Sequence, residues 1–274
     1  MTSTSARPTE RVRVQVHGET TRRKEDRVIG EEPLEIRLAW PGQSGERVWV
    51  TMRTPGNDFE LAAGNLFHEG LVSPQSILRV AYCTDAELSE EERFNVVTVW
   101  LDRPPLRHPS QILSSTGTGS SACGVCGKES LEQVLQLRPA APWQGPVPAI
   151  EVVRELPDKL RNSQPLFDVT GGVHAAGLAD ADGNLLLVRE DVGRHNAVDK
   201  LAGARLLAHQ PSAEAVLVLS GRVGFELVAK AAASGIGAIV AVGAPTSLAV
   251  RLAAESGIAL FGFTSPTRAV QYAG

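Results

Sequence analysis

The chain has 274 residues, 43% of them hydrophobic, and a formal net charge of −4. That length accommodates one large domain or two smaller ones with real cores, and that hydrophobic share argues against disorder. The acidic balance offers no basic footprint for nucleic acid, and no stretch reaches the roughly 20 apolar residues of a membrane span, so neither is expected as a partner.

The opening residues, MTSTSARPTERVRV, lack the apolar core of a signal peptide, which makes the cytoplasm the expected address. Through the first half, apolar residues alternate with polar ones at Val12, Val14 and Val16, again at Val48, Val50 and Met52, and again at Val97 and Val99. That period of two predicts strands. One helix interrupts them, with Asp58 as the expected N-cap, Leu61, Ala62 and Leu66 on its inner face, and Gly70 as its stop. Cys83 closes the apolar run from Ile77 and reads as a small buried residue.

Composition then changes. In SSTGTGSSACGVCG, residues 114–127, ten of fourteen residues are Ser, Thr or Gly, which predicts a mobile loop. A short amphipathic helix follows, with Leu131, Val134, Leu135 and Leu137 on one face. The four prolines between Pro139 and Pro148 mark a connector. Residues 8–138 are therefore expected to form a β-rich N-terminal domain that ends in the loop and the short helix.

Residues 148–274 are more regular. Val173 to Gly177 and Leu185 to Val188 flank Ala181-Asp182-Gly183-Asn184, a hairpin signal. A helix is expected from about His195 to His209. Apolar strands at 215–221, 237–243 and 258–263 alternate with helices at 224–235 and 246–257, each ending at glycine. That pattern predicts parallel β-α-β units and a three-layer α/β domain.

Three sets of residues carry chemistry. The first is Cys123-Gly124-Val125-Cys126. Structural zinc needs four ligands, and neither a second C-x-x-C nor a suitably spaced histidine pair accompanies this one. A thioredoxin-like pair opens a helix inside a β-α-β unit, whereas this pair sits in a Gly/Ser tether. A third reading is a carrier, in which a thiolate accepts sulfur as a persulfide and the tether lets it face two partners in turn. Lys128 and the start of the following helix both favour thiolate. Gly127-Lys128 is no phosphate-binding P-loop, because Ala122 and Glu129 stand where glycine and a hydroxyl residue are required.

The second set is Arg189 to Lys200, with His195 and Asn196 expected in the first turn of a helix, at the kind of strand end where α/β sheets bind ligands. The third is a pair of strand-to-helix turns, Ser220-Gly221-Arg222 and Ala244-Pro245-Thr246-Ser247, whose hydroxyls, glycines and arginine suit an anionic, phosphate-bearing ligand. Simple N-capping by Thr246 or Ser247 is the competing reading. His174, in Thr170-Gly171-Gly172-Val173-His174, reads by itself as a structural histidine.

Taken in order, the segment Arg53-Thr54-Pro55-Gly56-Asn57-Asp58 with Phe59 to Gly64, the Cys123–Cys126 pair, Thr170 to His174, Asp191 to Lys200, and Ser220 to Arg222 resemble the FdhD/NarQ family of formate dehydrogenase accessory sulfurtransferases. The resemblance implies a cytidine-deaminase-like α/β fold in the C-terminal domain and a homodimer. It implies persulfide transfer from a cysteine desulfurase to the molybdenum or tungsten bis-molybdopterin guanine dinucleotide cofactor of formate dehydrogenase, with GDP or GMP as mimics. Cys123 would carry the sulfur, with Cys126 as its helper. The family also binds the cofactor through a segment near the C-terminus, here Phe263-Thr264-Ser265-Pro266-Thr267-Arg268, where Phe263 and Arg268 match best. The deaminase zinc chemistry is not expected, because it needs H-x-E followed by P-C-x-x-C. A cofactor-binding chaperone for the same enzyme is the alternative.

Overall fold

In the computed structural model, residues 7–83, 92–109 and 141–274 are described. Cys123, Cys126 and the helix expected after them lie outside these residues. None of the described helices is long and apolar enough to cross a membrane.

The chain opens with a two-stranded antiparallel hairpin, β1 (Thr9–His17) and β2 (Thr21–Ile29). A four-stranded sheet follows, built from β3 (Glu32–Trp40), β4 (Gln43–Arg53), β5 (Ile77–Tyr82) and β6 (Val96–Leu101) in the order β4-β3-β6-β5. Helix α1 (Asp58–His68) covers this sheet, and Leu61, Leu66 and Phe67 pack on Leu34, Ile36, Leu38, Val97 and Val99. The N-cap of α1 is Asn57, in a left-handed conformation with φ 58° and no side-chain cap, so the expectation for Asp58 is corrected. Asp58 is turned inward instead. Its carboxylate accepts two hydrogen bonds from Arg53, each 3.0 Å, and one of 2.9 Å from the Tyr82 hydroxyl. Both members of the ion pair are fully buried, and an inward carboxylate that holds an arginine cannot also cap the helix.

The second sheet has six strands in the order β12-β11-β10-β9-β7-β8. These are β7 (His174–Ala179), β8 (Leu185–Asp191), β9 (Glu214–Leu219), β10 (Ile236–Ala241), β11 (Ala259–Ser265) and β12 (Arg268–Ala273). The central strands β9, β10 and β11 are parallel, as the β-α-β pattern predicts. Alternation along them explains their continuous apolar sequence. Leu217, Leu219, Ile239 and Leu260 face one side and Val216, Val218, Val240 and Phe261 the other.

The first side is covered by α4 (Arg194–Leu207), α5 (Phe225–Ser234) and α6 (Ser247–Ser256). The second is covered by α2 (Ile150–Arg161), through Val153, Leu156 and Leu160. The result is a three-layer α/β/α arrangement. Gly235 and Gly257 end α5 and α6 in the left-handed region, at φ 77° and 69°, a conformation glycine adopts at little cost. A short helix, α3 (Pro165–Thr170), follows α2.

The two sheets are joined where α1 crosses α4. The helices meet at Gly64 and Gly203, and a Cβ at Gly203 would stand 2.5 Å from the carbonyl carbon of Glu60. The core under the first sheet also takes in Ala202 and Leu206 of α4.

Candidate functional site

Strand direction decides where the polar motifs gather. Because β7 runs antiparallel to β9, its first residues lie beside the carboxyl end of β9, and the end of β8 lies beside them in turn. The turns after β9, β10 and β11 share this edge. Backbone hydrogen bonds stitch them together, from Gly243 N–H to Gly221 O at 3.1 Å and from Phe263 N–H to Gly243 O at 3.2 Å. The loops beyond interlock as well, with Val223 N–H on Ala244 O and Thr246 N–H on Val223 O. Carboxyl edges of this kind are where open α/β sheets bind ligands.

A cavity of about 630 Å³ opens at this edge. Its polar walls come from Asp158, Arg161 and Gln164 on α2 and at the start of α3, from His174, from Ser220, and from Thr264 and Ser265 of the β11–β12 turn. Apolar wall is supplied by Leu160, Phe167, Val173, Val192 and Val242. That volume and mixed lining suit a small-molecule ligand.

Several of these polar groups have no partner of their own. The Thr264 hydroxyl oxygen is buried and unbonded. Gln164 is only 3% exposed, and among the described residues nothing bonds to its carboxamide. Buried polar groups are normally satisfied, so an orphan hydroxyl at the wall of a cavity points to a ligand. Ser220 accepts a 2.8 Å bond from the Ala175 N–H, which leaves its own hydroxyl proton to donate.

His174 also has no hydrogen bond among the described residues. Burial, followed by the charges of Arg194, His195 and Arg222, holds its pKa below the ordinary histidine value. Its imidazole is therefore neutral at pH 7 and can accept a proton or a hydrogen bond. The sequence reading of His174 as a structural residue is corrected: it forms part of the cavity wall.

The other sequence candidates separate. His195 stands in the first turn of α4 and is paired with Glu226 at 2.9 Å, a contact that holds the Glu226 pKa below its usual value. Asn196 faces inward. Its amide donates to Met52 O and to Asp191, and its oxygen accepts from Thr51. Those bonds commit Asn196 to the join between the sheets, so the ligand-facing role expected of it is corrected.

Asp191 and Lys200 share that fate. They pair at 2.7 Å, both essentially inaccessible, and bracket Thr54 through its N–H and its carbonyl. Arg189 likewise reaches across to Glu60. Thus the Arg53 to Gly64 segment and much of the Arg189 to Lys200 segment hold the two sheets together.

At the other turns, Arg222 is exposed and Ser247 is the first residue of α6. Thr246 is the N-cap, accepting from the Ala249 N–H, so ordinary capping holds for that residue. Gly221 packs so close to His174 that a Cβ would lie 3.2 Å from its ring. Phe263 has an unusual φ of 49°, is 45% exposed, and carries the Arg268 guanidinium 5.5 Å from its ring centre. Pro266 lines the cavity mouth, while Thr267 is exposed at the hairpin tip. A strained, exposed aromatic beside a cavity is a common functional arrangement.

Sequence reasoning missed Asp158, Gln164 and Phe167 altogether. The spacing of Val153, Leu156 and Leu160 was the available signal for α2, and α2 brings that wall into place. Among the described residues no group of three or more His, Cys, Asp or Glu is placed to hold a metal ion.

The model of the FdhD/NarQ family matches residues 29–274. A sulfur carrier protein FdhD from Streptomyces coelicolor is 47% identical over 256 residues, covering 91% of this chain and 88% of its own. One from Mycobacterium tuberculosis is 45% identical, covering 85% and 84%. A crystal structure of a protein from Desulfotalea psychrophila, assigned as a formate dehydrogenase accessory protein, superposes with a TM-score of 0.73 over 97% of both chains. At 24% identity, that match speaks to the fold.

Proposed function

This chain belongs to the FdhD/NarQ family, and on that premise we propose that it is a cytoplasmic sulfurtransferase serving formate dehydrogenase. It takes sulfur from a cysteine desulfurase and delivers it to the bis-molybdopterin guanine dinucleotide cofactor, whose metal is molybdenum or tungsten. The Cys123 thiolate attacks the terminal sulfur of the desulfurase persulfide. A sulfur–sulfur bond forms at Cys123, and the desulfurase cysteine leaves as thiolate. Cys126, three residues on, is placed in sequence to assist the release. The protein works as a homodimer.

One observation carries the acceptor side of this reading. Residues from five separate segments of the chain converge on a single cavity, at whose wall the buried Thr264 hydroxyl lacks a partner. Outside it stand Arg222 and Arg268, and Gly224 at the N-cap of α5 leaves that helix without a side-chain cap. Free N–H groups at a helix start and nearby arginines are the ordinary means of holding phosphate. The nucleotide portion of the acceptor therefore sits at this edge, with Ser220, Thr264 and Ser265 donating or accepting inside the cavity and His174 offering a neutral ring nitrogen.

The test is mass spectrometry of the protein after incubation with a cysteine desulfurase and cysteine. Added sulfur is expected on Cys123 or Cys126, and Cys123→Ala is expected to abolish activation of formate dehydrogenase. A Cys123→Ala variant that activates fully would refute the relay. A double cysteine variant with full activity would leave a cofactor-binding chaperone in its place.

A further inference from the structure

We propose that the β1–β2 ribbon is the docking surface for the enzyme that receives the cofactor, and that its arginine-bearing face meets an acidic patch on that enzyme. The inference rests on the delivery proposed above and adds where the acceptor enzyme is held.

Residues 9–29 carry six cations and four carboxylates. The ribbon is thus +2 in a chain of net charge −4, and the remaining residues carry −6. Register decides how that charge is spread. In an antiparallel pair, directly opposed residues share a face and successive residues point to opposite faces. On the face of Val12, Val14 and Val16, the cations Arg22 and Lys24 are matched by Glu10 and Asp26. The other face takes Arg11, Arg13, Arg23 and Arg27, with Glu25 as its one carboxylate. The surplus of positive charge therefore lies on one side of the ribbon.

That side is built against its own stability. Arg11 stands directly opposite Arg27, and like charges so placed repel. A two-stranded ribbon is marginal in water before any such cost. All four arginines are exposed. Arg11 pairs with Glu25 at 3.0 Å, and among the described residues the side chains of Arg13, Arg23 and Arg27 pair with no carboxylate. An acidic surface laid on this face offsets the repulsion and supplies the missing partners.

The ribbon is rooted at the cavity. Strand β2 packs beside α3, and a Cβ added at Gly172 would come within 3.2 Å of Ile29 Cγ2. Gly172 lines the cavity. Ile29 belongs to the arginine face, so that face turns toward the cavity at the base of the ribbon. From this root the nine residues of β1 extend about 30 Å. A protein that collects a ligand from the cavity meets the arginines, whereas the sulfur donor reacts at Cys123. Nucleic acid fits the face less well. Glu25 within it and the −6 of the remaining chain repel a long polyanion, while a protein patch can set a cation opposite Glu25.

The test is the affinity of the full chain for formate dehydrogenase prepared without its cofactor, measured by biolayer interferometry at about 50 and about 200 mM salt. Wild-type protein is expected to bind at the lower salt and to weaken about tenfold or more at the higher, where exposed charges are screened. Arg23→Glu combined with Arg27→Glu is expected to bind about tenfold or more weaker at the lower salt and to lose most of the salt dependence. The ribbon tolerates this change, because Arg23 is opposite Gln15 and Arg27→Glu sets opposite charges across the strands. Arg23→Gln combined with Arg27→Gln, which only removes charge, is expected to fall between the two. Sulfur uptake from the desulfurase is expected to match wild type in both variants. Variants that bind the apoenzyme as wild type does overturn this inference and leave the sulfur relay standing. So does a wild-type protein that takes up sulfur but does not bind the apoenzyme. Tighter wild-type binding to a DNA duplex or to phosphatidylglycerol vesicles than to the apoenzyme also overturns it. A wild-type protein that takes up no sulfur overturns the relay itself.

Discussion

Replacing Gly203 by alanine should loosen the whole molecule, although alanine is the better helix former. In an exposed helix the exchange gains about 1 kcal/mol. Here the added Cβ would lie 2.5 Å from the Glu60 carbonyl carbon and 2.9 Å from its Cα. Carbon atoms pack at about 3.5–4.0 Å, so α1 and α4 must separate by roughly 1 Å along their crossing. Both obstructing atoms are backbone and no rotamer can move them. Overpacking of this kind costs about 1–3 kcal/mol, and this site belongs at or above the upper end, because bonds on both flanks are drawn with it.

Those bonds are Arg189 to Glu60 on one side and Asp191 and Lys200 to Thr54 on the other. After the helix gain, the net loss is about 2 kcal/mol or more, which lowers the thermal midpoint by roughly 4–8 °C. Differential scanning calorimetry and urea titration read it directly. Gly18→Ala is the control, since the nearest obstacle there is 3.9 Å away. Gly64→Ala should behave like Gly203→Ala, with a Cβ 2.7 Å from the Asp199 carbonyl carbon. The double variant should cost less than the sum, because helices already parted by one methyl admit the second more easily. A Gly203→Ala protein as stable as wild type would mean that the helices do not approach this closely.

Two further outcomes follow from the same join. Lys200→Met strands the fully buried Asp191 carboxylate without its cation and should cost about 3–5 kcal/mol in urea unfolding; adding Asp191→Asn should recover part of that loss. Acid sensitivity should come from His68, whose ring donates to Asp199 at 2.6 Å through Nδ1 and accepts from the Ser234 hydroxyl at 2.9 Å. Burial holds the His68 pKa below 6.5, assisted by the Lys230 ammonium and opposed by Asp199. The unfolded chain therefore binds the proton first, and stability is complete above about pH 6.5 and declines as pH falls from there toward the folded value. His68→Asn, which keeps a donor for Asp199, should flatten the dependence of urea midpoint on pH between about 7.5 and 5; an unchanged slope would assign the acid sensitivity to other groups. Asp199 should hold to lower pH, because burial raises its pKa but Lys230 and His68 outweigh that and leave it below the usual value.

Local signals carried the second sheet well. Apolar strands, helices stopped by Gly235 and Gly257, and the Asp182-Gly183 turn each state a conformation within a few residues, and the structure places all of them. The signal failed where partners are distant. Strand β2, Thr-Arg-Arg-Lys-Glu-Asp-Arg-Val-Ile, has no alternation of its own and is a strand because β1 pairs with it along its full length. Asp58 looked like a cap because capping is a local rule, and the arginine that claims it sits five residues back in another element. The Arg189 to Lys200 segment misled most. Its density of charge suggests a site, yet the partner of Lys200 in the other sheet is Thr54, 146 residues away, a pairing that nothing in one sequence announces.

That segment does not divide simply into frame and site, because one turn serves both. Asp191 anchors the turn by accepting from Thr54 N–H, Gly193 N–H and Asn196, while the Val192 N–H donates to the Thr54 hydroxyl. The Val192 side chain, leaving the same backbone, lines the cavity. On the far side of that turn, Arg194 and His195 bear on His174 and Glu226. The position of one cavity wall is thus set by hydrogen bonds from the opposite sheet. A ligand that needs Val192 and His174 in place is bound more tightly when the sheets are locked, and by reciprocity it tightens the lock. The polar motifs at this edge therefore have two physical roles that a sequence cannot separate, since the same few residues must hold the frame still and shape the cavity.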